Sequence, residues 1–172
     1  MEKERAMIFI DGSNLYYNFK DLGIKRVDFR KFLQLLVKDK LLISTFYYNA
    51  PLDISINSKK YWGQQKFFNE LRKIPDFKVI LCKLRKHKRK NENFVFDVKG
   101  DDVHLAVDLV SGAYENLYDV AIIVSGDEDF VPAIKKVQKL GKRVINAYFK
   151  SSSSASLKKT CDDSIYMNNL IK

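Results

Sequence analysis

Short, wholly apolar runs alternate along this chain with longer stretches of helical periodicity, and this pattern constrains the fold more than any other feature. Residues 7–10 form the first run, which stops at Asp11-Gly12-Ser13-Asn14. Residues 120–125 form another, followed at once by Gly126 and Asp127. An apolar run of this length bounded by turn residues reads as a buried strand. The pattern predicts further strands over 43–49, 77–84, 94–98 and 144–149. Helices are predicted over 15–22, 29–38, 59–73, 102–114 and 130–140. Asp28 is placed to cap the second helix and Gly141 to stop the last of these five. Residues 85–93 read as a polar, basic turn and the four serines 151–154 as a small flexible run. A short helix over 155–160 and a strand near 165–166 close the fold. Strands alternating with helices give an α/β chain with a mostly parallel sheet covered on both faces, a three-layer, Rossmann-like arrangement. With 172 residues, no internal repeat and no long linker, the expectation is one domain over 1–172.

In such a sheet, ligands bind beyond the C-terminal ends of the strands. Asp11 follows the first strand directly, and Asp127 and Asp129 follow the run 120–125. Parallel strands end on one edge, so these carboxylates are expected to converge. Asp101 and Asp102 begin a predicted helix and Asp108 lies within it. Asp101 and Asp108 share a face if the helix reaches back that far, whereas Asp102 and Asp108 stand ~120° apart around the axis. Carboxylates grouped in one cleft repel unless a cation joins them. Mg²⁺ or Mn²⁺ suits an all-oxygen set, and such an ion supplies a nucleophilic water and stabilises charge on a phosphate. The plainer reading is local: Asp102 as a helix cap, Asp127 and Asp129 as turn and cap residues before Phe130. Asp108 fits that reading less well, since Val107, Leu109 and Val110 around it are apolar.

The formal net charge of +10 favours an anionic partner, most simply nucleic acid, against the alternative of a basic solubility surface. Lys83, Arg85, Lys86, Lys88, Arg89 and Lys90 form a dense basic run around His87. It suits phosphate contacts, or else a solvated hairpin tip. Tyr16 and Tyr17 are candidates for base stacking, while Phe19 fits the core. His104 stands one turn before Asp108, the spacing of a helix-surface pair. The two cysteines, Cys82 and Cys161, have neither zinc spacing nor a disulfide framework, and Cys82 lies in an apolar run that suits a buried thiol. A reducing cytoplasm is the natural inference. The N-terminal residues 1–6 lack a signal-peptide core, and no run approaches the ~18 apolar residues that span a membrane. Gly12 and Gly126 form neither a GxGxxG nor a P-loop pattern, and no arrangement for covalent catalysis stands out.

Three segments together resemble a known family. Ile8-Phe9-Ile10-Asp11-Gly12-Ser13-Asn14-Leu15 resembles the opening strand and loop of NYN domains of the LabA-like group. Lys99-Gly100-Asp101-Asp102-Val103, then Leu105-Ala106-Val107-Asp108-Leu109, resembles their central helix motif. Ile123-Val124-Ser125-Gly126-Asp127-Glu128-Asp129-Phe130-Val131-Pro132 resembles the third, and Gly141-Lys142-Arg143-Val144 continues it. The resemblance implies a PIN-like α/β/α fold and, for many relatives, metal-dependent ribonuclease chemistry. Carried across, it implies Asp11, Asp102 and Asp127 as ligands of Mg²⁺ or Mn²⁺, with Asp108 and Asp129 completing the acidic site. Asn14 and Ser125 are implied to orient carboxylates, waters or a phosphate. Arg85, Lys86, Lys88, Arg89 and Lys99 are the expected phosphate contacts. Asp101 departs from the pattern, which often has an apolar residue there, so either neighbour is free to point inward. The expected function is a ribonuclease, with a non-catalytic RNA-binding or regulatory module as the alternative. The expected partners are RNA, with DNA left open, and a second copy of the chain, with no membrane.

Overall fold

The computed structural model describes residues 2–88 and 94–170. Its centre is a six-stranded sheet in the order β3-β2-β1-β6-β7-β8, comprising β1 (Arg5–Asp11), β2 (Leu41–Asn49), β3 (Phe77–Leu81), β6 (Val120–Val124), β7 (Arg143–Tyr148) and β8 (Asp163–Tyr166). Every pairing in it is parallel. The period of two divides β1 between two cores. Ala6, Ile8 and Ile10 pack with Leu15, Phe32 and Phe68, under α1 (Gly12–Asp21), α2 (Phe29–Val37) and α3 (Ser58–Arg72). Met7 and Phe9 pack with Leu105, Leu109 and Ile134, under α4 (Asp101–Tyr114), α5 (Val131–Lys139) and α6 (Ala155–Thr160). Helices on both faces explain why β6 is buried at every position.

Four local expectations change. The predicted strand 77–84 ends at Leu81, because its neighbour in the sheet, β2, stops at Asn49, two residues before Pro51. Cys82 donates its N–H to the Asn49 carbonyl at 2.7 Å, and beyond it the chain leaves the sheet. It then forms a separate antiparallel hairpin, β4 (Lys83–Lys88) with β5 (Phe94–Lys99). Much of the basic run is therefore strand rather than turn: Arg85, Lys86 and Lys88 pair with Asp97, Phe96 and Phe94. Arg89 and Lys90 lie outside the described residues. The first helix begins at Gly12 rather than residue 15, because the Asp11 carboxylate caps it. The serine run is bonded into the fold: Lys150–Ser152 is a 3-10 turn, and the Ser154 hydroxyl accepts the Leu157 N–H to cap α6. Cys82 is buried, as its apolar setting implied. Among the described residues no helix is long and apolar enough to cross a membrane.

Candidate active site

The order of the sheet places β1 beside β6, so the loops after their C-terminal ends meet. Asp11 is buried at the end of β1. One carboxylate oxygen, Oδ1, accepts the Asn14 N–H at 2.9 Å, and the other, Oδ2, accepts the Ser125 hydroxyl at 3.0 Å. Ser125 follows β6 and is buried. Its Oγ in turn accepts the Asp127 N–H at 3.1 Å, and Asp127 Oδ1 accepts the Asp129 N–H at 3.0 Å. A chain of hydrogen bonds thus links Asp11 to Asp127 and Asp129 across the edge.

The head of α4 brings two more acids. Gly100 precedes it in the left-handed region (φ 90°) and turns the chain from β5 into the helix. Asp101 is buried and Asp102 stands at the surface. The protein around Asp102 withdraws enough water, together with repulsion from Asp101, Asp11, Asp127 and Asp129, to push its carboxyl up to about 6. Asp11 is raised too, by burial above all and by repulsion from Asp101 and Asp127, against the lowering effect of its own hydrogen bonds. Among the described residues, the charged groups that act most strongly on these two carboxylates are all carboxylates themselves.

The structure therefore brings Asp11, Asp101, Asp102, Asp127 and Asp129 to one edge. Asp101, left open by the sequence, joins the group alongside Asp102. Asp108 does not join it: further along α4, its Oδ2 accepts the Tyr48 hydroxyl at 2.9 Å. Lys99 is exposed at the end of β5, two residues before Asp101, so the base of the hairpin adjoins the acids. Asn14 contributes its backbone to Asp11, but its side chain is engaged elsewhere. Its Oδ1 accepts from Asn18 Nδ2 at 3.0 Å and from Ser152 Oγ at 3.3 Å. Among the described residues, no three Asp, Glu, His or Cys side chains are close enough to hold an ion between them.

Three supporting residues lie outside the sequence-predicted set. Asn18 and Ser152 tie α1 to the loop after β7, with Asn18 Nδ2 donating to Ser152 Oγ at 2.9 Å. That loop crosses directly over Gly126, where an added Cβ would lie 1.4 Å from the Ser152 carbonyl oxygen, so only glycine fits. Asn146 is fully buried in β7, and its Nδ2 donates to the Ser125 carbonyl at 2.8 Å, fixing the turn that carries Ser125. A lone Asn within an otherwise apolar strand is the signal that points to it.

This geometry agrees with what the chain resembles. It matches the NYN domain family over residues 5–168, and so belongs to that family, within the PIN-like nuclease superfamily. NYN domains are generally nucleases, and their superfamily typically uses divalent metals. Among solved structures, the chain is similar to a protein of unknown function from Vibrio parahaemolyticus, with 26% identity and a TM-score of 0.76, over 99% of this chain and 96% of that one. No functionally curated protein matches it.

Proposed function

We propose that this chain is a divalent-metal-dependent ribonuclease of the LabA-like group, and that the acidic edge is where it cuts. The observation that carries the proposal is the set of five aspartates at one edge, with Asp11 and Asp102 both raised above the ordinary carboxylate range. Charge crowded in this way costs stability, and a hard dication relieves it. Mg²⁺ and Mn²⁺ keep several waters and need few protein ligands, so a loosely spaced oxygen set suits them. Asp11, Asp102 and Asp127 would hold the ion through the waters it retains, since no three of the described acids stand close enough to ligate it directly, with Asp101 and Asp129 adding negative charge beside it. The ion supplies an activated water and stabilises charge on the phosphate. Ser125 orients Asp11 and Asp127 through one hydroxyl, donating to the first and accepting from the second. Lys99, the hairpin residues Arg85, Lys86 and Lys88, and Arg89, which lies outside the described residues, would hold flanking phosphates.

A non-catalytic RNA-binding module is the second reading. It is favoured by the local work these acids already do, with Asp11 capping α1 and Asp127 capping the turn Glu128–Phe130. Cleavage of RNA with Mg²⁺ or Mn²⁺, abolished by chelator and by Asp11→Asn, is the expected result. Well-folded protein that binds RNA and never cuts it would establish the second reading instead.

A further inference from the structure

Two aromatic pairs, with Tyr16, Tyr17 and Trp62 exposed and Tyr61 half-buried, share the edge that carries the acids. Tyr16 and Tyr17 lie in the second turn of α1, 58% and 61% exposed, with ring centroids 5.5 Å apart and nearly perpendicular. Tyr61 and Trp62 lie near the start of α3, 5.2 Å apart at 80°, with Trp62 60% exposed. β1 and β2 are adjacent parallel strands; α1 follows the end of β1 directly, and α3 follows the end of β2 after the loop 50–57. Gln64 ties the start of α3 to that edge: its amide donates to the Ala50 carbonyl at 3.1 Å, and its Oε1 accepts the Leu52 N–H at 2.7 Å. Tyr47 bridges the two helices beneath, its hydroxyl on the Gly12 carbonyl and its ring against Phe67 and Phe68.

Leaving three aromatic rings at the surface is costly unless something covers them. The surrounding charge indicates what does. Lys59, Lys60 and Lys66 lie on α3 and Lys20 on α1, and all four are exposed. Aromatic faces interleaved with lysines suit a chain of bases and phosphates. A duplex hides its base faces, so such a platform selects unpaired strands.

We propose that Tyr16, Tyr17 and Trp62, with the half-buried Tyr61 packed against Trp62, form a stacking platform that leads single-stranded RNA to the acidic edge. This rests on the ribonuclease reading, but it is tested without cleavage. Trp62 is the only tryptophan in the chain, so its fluorescence reports on the platform alone. In chelator, an unpaired RNA oligomer is expected to quench it, and a blunt duplex of equal length is not. By anisotropy of labelled RNA, Trp62→Ala and the double substitution Tyr16→Ala with Tyr17→Ala should each weaken single-strand binding about tenfold. Duplex binding should change little. These side chains are exposed, so the variants should remain folded. Equal quenching by duplex, unchanged affinity in the variants, or a dimer in sedimentation that the same substitutions dissociate would each overturn the platform. Absence of metal-dependent cleavage alongside the expected binding would instead overturn the nuclease reading and leave the platform intact.

Discussion

The two ends of the central strand pair β1 and β6 treat aspartate in opposite ways. At the N-terminal edge, Asp119 precedes β6 and meets Arg5, the first residue of β1. Asp119 accepts the Arg5 backbone N–H at 2.8 Å and both Nε and Nη2 of its guanidinium, with Lys142 nearby. Those bonds to Arg5 pull its carboxyl down to about 2. At the C-terminal edge, the same two strands deliver Asp11 and, through Ser125, Asp127 into a group that, among the described residues, no ion pair joins, and carboxyls there are pushed up. The first edge is completed by its own residues. Among the described residues no ion pair neutralises the second, an arrangement that clusters at functional sites.

The contrast can be broken most forcefully at the acids. Asp11→Asn and Asp127→Asn keep size and remove charge, and each is expected to lower metal-dependent RNA cleavage by about 100-fold, the upper end of losses from disturbed metal sites. Far-ultraviolet circular dichroism should show both variants folded. Unfolding would assign the two aspartates to capping alone.

Removing the charge of Arg85, Lys86, Lys88 and Arg89 by alanine should weaken RNA binding and flatten its salt dependence. On a single strand the slope should fall by ~0.7 for each phosphate that is no longer neutralised. An unchanged slope would make the hairpin a solubility feature.

Ser125→Ala removes the hydroxyl shared by Asp11 and Asp127 while leaving both charges. About a tenfold loss of cleavage is expected, in kcat more than in KM. Equal activity would show that the two acids need no common support.

The smallest effects concern stability against pH, and the two edges should have opposite signs. Asp119 is depressed in the folded state, so its contribution is full above the unfolded value of about 4 and fades as pH falls toward 2. Asp102 is raised to about 6, so its folded state is penalised above pH 6 and relieved as pH falls toward about 4. Without metal at pH 7, Asp119→Asn should lower Tm and Asp102→Asn should raise it. Both sites are largely open to water, so each shift should stay within about 2–4 °C. The Asp102→Asn gain should vanish at pH 4. Shifts of the same sign would erase the contrast.

What is legible in the sequence is local. Apolar runs ending in Asp-Gly or Ser-Gly-Asp mark strand ends by turn chemistry, and a parallel sheet gathers such ends without further information. Asp11, Asp127 and Asp129 are therefore readable together, and Asp102 enters only through the resemblance of residues 99–109 to the family's helix motif. Asp108 shares their residue type but not their place, because its partner Tyr48 lies 60 residues away and pulls it to the flank of β2. The clamp between α1 and the serine loop joins residues 133 to 138 positions apart, and nothing near Ser151 or Ser152 announces Asn18 or Asn14. The break after Leu81 depends on where β2 stops, which periodicity within 77–84 does not contain.

The central claim, that the acids of the C-terminal edge take up a metal cation where Asp119 of the N-terminal edge already has Arg5, is tested most directly by titrating Mn²⁺ into the protein by calorimetry. Binding is expected at pH 7.5, weakened about tenfold or more by Asp11→Asn, weakened again on lowering the pH through 6 as Asp102 takes up a proton, and untouched by Asp119→Asn. Equal Mn²⁺ affinity in wild type and Asp11→Asn at pH 7.5, with both folded, would contradict it.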